Sequence, residues 1–210
     1  VVVYTGEGRG FCAGQDLGDA RSVADLDLEG VLRDEYEPLL RAIVDCPVPT
    51  LCAVNGVAAG AGANLALAAD VVIASRGASF LEAFARIGLI PDAGGTWMLP
   101  RMVGLPRALG MSLFAEPIPA GRAADWGLIW EVVEDDQLSQ RAAELALRLA
   151  GGPTAAYRLM KQALRASTDN SLAAQLSLEA QLQGEAGRTR DFQEGVMAFL
   201  EKREARFEGR

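Results

Sequence analysis

The chain has 210 residues, of which half are hydrophobic and 23% are charged, as in a globular protein with a sizeable core. This excludes a disordered or fibrous chain. Twenty basic residues stand against 28 acidic ones, so the net charge is −8. Such a surface repels nucleic acids and anionic membranes, and we expect neither as a partner. Because no apolar run reaches the ~18 residues of a membrane-spanning helix, we expect none.

The chain contains no histidine. Its own residues therefore cannot form a Ser-His-Asp triad, a Cys-His pair or a His-ligated metal site, and we expect no metal. The cysteines, Cys12, Cys46 and Cys52, form no C-x-x-C pair, which favours a reduced, cytoplasmic location. No signal peptide is visible. Since residue 1 lies within a predicted strand, we expect the native chain to begin earlier.

Strands and helices alternate in the first half of the chain. Residues 1–5 are a β-branched run that predicts a buried strand, and residues 50–54 and 71–74 predict two more. Apolar side chains recur at helical spacing over residues 32–43, and small residues predict a helix over 62–69. This alternation is typical of an α/β fold with a parallel sheet.

Helices dominate from Gly94 onward. Apolar residues follow one helix face over 138–149 and again over 192–200. We therefore predict two regions, an α/β core over residues 1–137 and a helical region over 138–210.

The first candidate motif is Gly6-x-Gly8-x-Gly10, which follows the first predicted strand. A phosphate-binding turn is one interpretation. The spacing differs from G-x-G-x-x-G and no acidic residue ends a second strand about twenty residues on, so a plain tight turn is favoured.

A second motif is the small-residue loop over residues 56–64, which follows a strand and precedes a helix. Free N–H groups at a helix N-terminus suit a phosphate or a developing oxyanion. Close packing between backbone segments explains the same residues, and the spacing alone does not decide between these interpretations.

The third motif is Asp92, a lone carboxylate after an apolar segment and before Gly94-Gly95. The pattern by itself favours a helix N-cap. The alternative is a general base in an apolar cleft, where desolvation would raise the pKa of the carboxyl.

The fourth is the pair Phe199 and Lys202, three residues apart on a predicted helix. A ring and an ammonium on one face suit a nucleobase and a phosphate. Taken alone, the pair is more simply a core phenylalanine beside a solvated lysine.

The four motifs, taken in their order along the chain, resemble the crotonase (enoyl-CoA hydratase/isomerase) superfamily. Residues 10–17, 55–70, 88–95, 126–133 and 194–203 carry the resemblance. It implies a ββα spiral core followed by a helical trimerisation region, and a homotrimer or a dimer of trimers. It also implies an acyl-CoA thioester as ligand. Because CoA is part of the substrate, we expect no separate cofactor.

The resemblance also implies the site residues. The main-chain N–H groups of Gln15 and Ala61 correspond to the family's oxyanion hole, and Asp92 to the acid/base of its isomerases. In relatives, the positions of Phe199 and Lys202 reach the CoA adenine and phosphate of a neighbouring subunit. The implied substrate- and CoA-binding residues are Ala13, Gln15, Asp16, Leu17, Ala61, Gly62, Phe84, Trp97, Phe199 and Lys202.

Two departures bear on the reaction. Hydratases of the family carry glutamates at the positions that hold Asn64 and Phe84 here. Neither of these side chains carries a proton between atoms, so we do not expect the addition of water to a double bond. When the resemblance is taken into account, Asp92 is better interpreted as a catalytic residue than as a helix cap.

Residues 14–17, 85–97 and 124–130 are most similar to the ring-1,2-epoxyphenylacetyl-CoA isomerases of phenylacetate catabolism. This implies an isomerase that converts 2-(1,2-epoxy-1,2-dihydrophenyl)acetyl-CoA to the oxepin thioester. The alternatives are a Δ3,Δ2-enoyl-CoA isomerase of fatty-acid oxidation and a non-catalytic acyl-CoA-binding homologue.

Overall fold

The structure is a computed structural model that describes residues 1–16 and 27–210. The chain forms two compact units, which are treated separately below. The larger unit consists of Val3–Cys46 and Thr50–Ala142, and the smaller of Val1–Val2, Pro47–Pro49 and Ala143–Arg210.

One sheet carries the buried centre of the fold. Its strand order is β1-β3-β5-β8, where the strands are Val2–Thr5, Thr50–Val54, Val71–Ser75 and Glu131–Val133. β3 pairs with β5 in parallel, and β5 with β8. All five residues of β3 are buried, as expected of a parallel strand that is covered on both faces. The predicted α/β class with a parallel sheet is confirmed.

The first predicted strand forms but is not buried. β1 lies at the edge of its sheet, and Val2 and Val3 are 46% and 42% exposed. The expectation of burial was wrong because a β-branched run reports strand propensity, whereas burial depends on which strands flank it.

A second sheet of short strands was not predicted. Its order is β2-β4-β6-β7, and the strands are Gly10–Cys12, Val57–Ala59, Ser79–Leu81 and Ile118–Pro119. β2, β4 and β6 pair in parallel, and β7 is antiparallel to β6. β4 lies inside the segment interpreted above as a loop. It was missed because three residues are too few to show the alternation of apolar and polar side chains that indicates a strand.

The helix predicted over residues 32–43 is confirmed as part of a longer helical segment. It consists of α1 (Leu28–Val31), a π-helical turn (Leu32–Tyr36) and α2 (Glu37–Val44). A π-turn within an α-helix often accompanies a functional site. The small-residue helix is α3 (Ala61–Leu67), in which six of seven residues are buried.

The remaining helices of the larger unit complete its core. They are a 3₁₀ helix over Ala83–Ile87, α4 (Gly95–Val103), α5 (Leu105–Phe114), α6 (Ala120–Asp125) and a 3₁₀ helix over Asp135–Gln137. The largest buried side chains of its hydrophobic cluster include Val54, Leu67, Phe80 and Leu99.

From Leu138 onward the chain is helical. The helices are α7 (Leu138–Ala150), α8 (Thr154–Ala166), α9 (Leu172–Ala186) and α10 (Arg190–Glu201). No helix in the described ranges is both long and apolar enough to cross a bilayer.

The close approach of β2 to α3 fixes the position of the small-residue helix. A Cβ on Gly62 would collide with the main-chain oxygen of Cys12. We expect Gly62→Ala to lower the free energy of unfolding by about 1–3 kcal/mol, because the backbone of a packed strand must shift. Urea unfolding measures this change. The matched control is Gly110→Ala in α5, where a Cβ meets nothing within 4 Å. An unchanged stability of Gly62→Ala would contradict the rigid contact.

Candidate active site

The loop after β2 lies against the first residue of α3. Gly14 has φ +87°, and a Cβ on it would lie 3.3 Å from the main-chain nitrogen of Ala61. The first N–H groups of a helix have no acceptor within that helix. The predicted oxyanion-hole residues Gln15 and Ala61 therefore belong to two neighbouring stretches of backbone.

The side chain of Gln15 is tied to the π-turn. The hydroxyl of Tyr36 donates a hydrogen bond of 2.9 Å to Gln15 Oε1. Ala13 and Asp16 are exposed on the same stretch. Leu17, another predicted binding residue, lies outside the described residues. Sequence reasoning placed Tyr36 only on a helix face and missed its contact with Gln15.

The main chain at Asp92 is held by two donors. Its carbonyl oxygen accepts from Asn64 Nδ2 at 2.9 Å and from the main-chain nitrogen of Gly95 at 2.8 Å. The next residue, Ala93, is buried and has φ +45°, a left-handed conformation that costs free energy in a non-glycine residue. The N-cap of α4 is Gly94, so the interpretation of Asp92 as a helix cap was wrong.

Asp92 lines a large cleft. The cleft has a volume of about 1090 Å³ and lies between the α1–α2 segment and residues 89–98. Tyr36 and Trp97 line it together with Asp92. Its apolar lining includes Leu32, Leu40, Val44, Leu89, Ile90 and Met98. A mostly apolar cleft with a few polar groups is typical of a small-molecule site.

The carboxyl of Asp92 is partly desolvated. Its Oδ1 is buried and has no hydrogen-bond partner. Burial raises the pKa of the Asp92 carboxyl above its usual value, and a main-chain hydrogen bond opposes this in part. The pKa of Tyr36 is raised by burial and, next, by the charge of Asp92. The two groups therefore share one region of low dielectric constant.

A second carboxyl lies behind this site. Glu82 is 1% exposed, and its Oε2 accepts from Asn64 Nδ2 at 3.3 Å. Burial raises the pKa of Glu82 to about 7; the Asn64 hydrogen bond lowers it and the charge of Asp92 raises it. Sequence reasoning missed Glu82. The signal was a single acidic residue in the apolar run over residues 78–85.

Comparison with known proteins shows the family of the chain. The profile of the family described as enoyl-CoA hydratase/isomerase matches residues 1–210. The chain belongs to this family. The crotonase resemblance is thereby confirmed, and the chain is an enzyme of acyl-CoA hydratase/isomerase type.

Individual relatives cover the whole chain. A Rhodobacter capsulatus protein named "Probable enoyl-CoA hydratase" is 61% identical over 100% of this chain and 81% of its own length. The 1,2-epoxyphenylacetyl-CoA isomerase of Escherichia coli is 50% identical with the same coverage. A crystal structure of an enoyl-CoA hydratase/isomerase family protein from Mycobacterium abscessus superposes with a TM-score of 0.94 at 40% identity, covering 100% of this chain and 82% of that one.

The two positions that carry glutamates in the hydratases lack a carboxyl here. Asn64 is fully buried in α3. Phe84 is 7% exposed, and its ring lies 3.7 Å from the position of a Cβ on Gly60. Phe84 thus forms an apolar wall beside the start of α3.

The other predicted binding residues are distributed over both units. Trp97 is 48% exposed, with the guanidinium of Arg101 4.3 Å from its ring centre. Phe199 and Lys202 belong to the smaller unit. Phe199 is 82% exposed, so the alternative of a core phenylalanine was wrong. Lys202 has φ +55° at the C-cap of α10, so it has left the helix face on which it was expected.

The described residues offer little to a metal ion. Within 1–16 and 27–210, no three Cys, Asp or Glu side chains gather at a spacing suited to a metal. The groups that could take part in chemistry are the carboxyls of Asp92 and Glu82, the amide of Asn64 and the main-chain N–H groups near α3.

The raised pKa of Glu82 predicts a pH-dependent stability. Glu82 holds its proton up to about pH 7 in the fold, whereas an unperturbed Glu loses it near 4.5. Folding therefore takes up a proton between these values, and raising the pH through this window destabilises the fold. We expect the wild type to lose about 3 kcal/mol of unfolding free energy across it, relative to Glu82→Gln.

Urea unfolding at a series of pH values measures this difference. The control is Glu134→Gln, which removes an exposed carboxylate paired with Arg76. Parallel curves for the wild type and Glu82→Gln would show that the Glu82 pKa is not raised.

Proposed function

We propose that the chain is an acyl-CoA isomerase that converts 2-(1,2-epoxy-1,2-dihydrophenyl)acetyl-CoA to the oxepin thioester in phenylacetate catabolism. One observation carries the proposal. Asp92 lines the cleft with a buried, unpartnered Oδ1, while Asn64 and Phe84 stand at the glutamate positions of hydratases. The other acidic residues of the lining, Glu29, Glu37 and Asp45, are exposed. The geometry therefore favours proton transfer by the carboxyl of Asp92.

The reaction needs a base and an anion site. The proton on the carbon next to a thioester is weakly acidic, and its removal moves negative charge to the thioester oxygen. For the ring epoxide, the carbon–carbon bond of the three-membered ring breaks as the ring expands to the oxepin. Asp92 takes the proton next to the thioester and returns it to a ring carbon, so the product has the same atoms as the substrate. A carboxyl with a raised pKa suits the removal of this proton, because it is a stronger base than an ordinary aspartate.

The anion site is formed by main-chain donors. In this proposal the N–H groups of Gln15 and Ala61 hold the thioester oxygen as its charge develops. Losing one such donor typically costs about 3 kcal/mol of transition-state stabilisation. The short distance between Gly14 and the Ala61 nitrogen supports this assignment, since it keeps the two stretches of backbone adjacent.

The relatives of this chain are named for two different reactions, isomerisation and hydration. The 50% identity to an epoxyphenylacetyl-CoA isomerase supports isomerisation. The 61% identical relative is named as a hydratase. Hydration needs a second group that exchanges protons with water in the cleft. Glu82 is 1% exposed and does not line the cleft. Glu29 and Glu37 do line it but pair with Arg33 and Arg41, which favours isomerisation.

A panel of thioesters tests the proposal. The purified chain is assayed with the ring epoxide, with a Δ3-enoyl-CoA and with a Δ2-enoyl-CoA in water, each followed by ultraviolet absorbance. We expect turnover to be highest with the ring epoxide. Preferential turnover of the Δ3-enoyl-CoA would replace the proposal by Δ3,Δ2 isomerisation, and preferential hydration would overturn it. No turnover of any of the three would favour a non-catalytic acyl-CoA-binding protein.

Asp92→Asn removes the base and keeps the size of the side chain. We expect kcat for isomerisation to fall about 10²–10⁴-fold, the usual contribution of general acid–base catalysis, with binding of the thioester retained. The matched control is Asp136→Asn, which neutralises an exposed carboxylate outside the cleft. Near-normal turnover by folded Asp92→Asn would end the assignment of Asp92.

The proposal extends to the assembly. On the family pattern, the chain forms a homotrimer or a dimer of trimers, in which Phe199 and Lys202 contact the CoA adenine and phosphate bound to a neighbouring subunit. The exposure of the Phe199 ring supports this, because a ring that stacks on a ligand must be accessible.

Lys202→Ala is expected to raise KM for the acyl-CoA roughly tenfold, the cost of about one charge-assisted hydrogen bond, and to leave kcat nearly unchanged. Lys202→Arg keeps the charge and should restore most of the affinity. The corresponding acyl-pantetheine, which lacks the nucleotide, should not distinguish these variants. An unchanged KM for the acyl-CoA would count against the contact.

A further inference from the structure

The buried cluster behind the cleft has more hydrogen-bond acceptors than donors. Asn64 Oδ1, Glu82 Oε1 and Asp92 Oδ1 are all buried without a partner. If both carboxyls are ionised, all three atoms are acceptors, and no bond can form among them. Unsatisfied buried oxygens are costly, so such a cluster needs a proton.

One proton on Glu82 supplies the missing donor. It converts Oε1 into a hydroxyl that donates to a neighbouring oxygen, while Oε2 still accepts from Asn64 Nδ2 at 3.3 Å. Glu82 is the carboxyl that should hold the proton, because it is 1% exposed whereas Asp92 lines the open cleft. The more deeply buried member of a carboxyl pair is the one whose charge is disfavoured most.

We propose that Glu82 is a positioning residue for Asp92: it stays protonated in the working enzyme, donates a hydrogen bond to one of the buried oxygens at Asn64 and Asp92, and so leaves the single negative charge on Asp92. It acts through Asn64, whose Nδ2 contacts both the Glu82 carboxyl and the Asp92 main chain. The inference rests on the proposed role of Asp92 as the base.

The charged groups around the cluster are consistent with a proton on Glu82 and a negative charge on Asp92. Among the described residues, Asp92 is the ionisable group whose charge raises the pKa of Glu82. Arg86, on the 3₁₀ helix that follows Glu82, donates its Nε to the Ala115 carbonyl at 3.0 Å. On the cleft side, Asp92 faces Tyr36.

Loss of the Glu82 proton has a defined consequence. Two carboxylates would then share a poorly solvated region, and three buried oxygens, one of them Asn64 Oδ1, would have no donor. Repulsion between the two charges would displace Asp92 from its position on the cleft wall. Activity should therefore decline as Glu82 ionises near pH 7. At lower pH, activity should increase with pH as Asp92 loses its own proton.

The direct test is a ¹³C NMR titration of the full chain labelled at the Glu and Asp side-chain carboxyls, with the two signals assigned by Glu82→Gln and Asp92→Asn. We expect the Glu82 signal to titrate near pH 7 and its midpoint to fall in Asp92→Asn, where the neighbouring charge is absent. A Glu82 midpoint near 4.5 in the wild type would overturn the inference. This measurement does not depend on any substrate.

The kinetic test separates positioning from simple packing. Glu82→Gln keeps the shape and supplies a permanent donor, so its kcat at pH 6 should stay within about twofold of wild type and its decline above pH 7 should disappear. Glu82→Leu has neither donor nor charge, and kcat should fall about ten- to a hundredfold at every pH with little change in KM, the cost of a slightly misplaced base.

Glu134→Gln is the control and should keep the wild-type pH profile. An alkaline decline that persists in Glu82→Gln would overturn the inference. If the titration behaves as expected and no thioester is isomerised, the proposed function fails while the proton on Glu82 stands.

Discussion

The arrangement of the site depends on one side-chain amide, that of Asn64. Its nitrogen donates to the main-chain oxygen of Asp92 and to the carboxyl of Glu82, from a fully buried position on α3. A buried amide in such a position is effective because no water competes for its hydrogen bonds. It links three parts of the chain that are distant in sequence: the small-residue helix, the end of β6 and the turn before α4.

Desolvation then gives the two carboxyls different properties. Both lie near Asn64, and burial is the largest cause of the raised pKa in each. The difference is their access to the cleft, since Asp92 lines it and Glu82 does not. Pairs of titratable groups with separated pKa values are a common basis for acid–base chemistry. Because the charge of Asp92 acts on Glu82, we expect a variant of Asp92 to alter the titration of Glu82.

Much of the fold followed from local patterns. The strands at residues 50–54 and 71–74 and the helix over 32–43 were predictable because long apolar runs and helical spacing leave a clear periodicity. The second sheet was not, since its strands have two or three residues each. The exposure of β1 was also not predictable, because the neighbours of a strand are set by topology.

The candidate site, like the fold, was only partly predictable from the sequence. Asp92 and the loop before α3 were found from single segments, and the family resemblance decided between their alternative roles. Glu82 and the contact of Tyr36 with Gln15 were missed, because each depends on residues that meet only in the folded chain. The local pattern alone favoured a helix cap at Asp92, but the chain turns through Ala93 and α4 begins beyond Gly94.

The turn that carries residue 92 is held through its main-chain carbonyl. That oxygen is bound by Asn64 and by the nitrogen of Gly95, and neither bond involves the side chain of residue 92. These two bonds therefore do not depend on which side chain occupies this position. A single substitution at this position could therefore introduce a different reactive side chain, and with it a new reaction, while the surrounding fold stays the same.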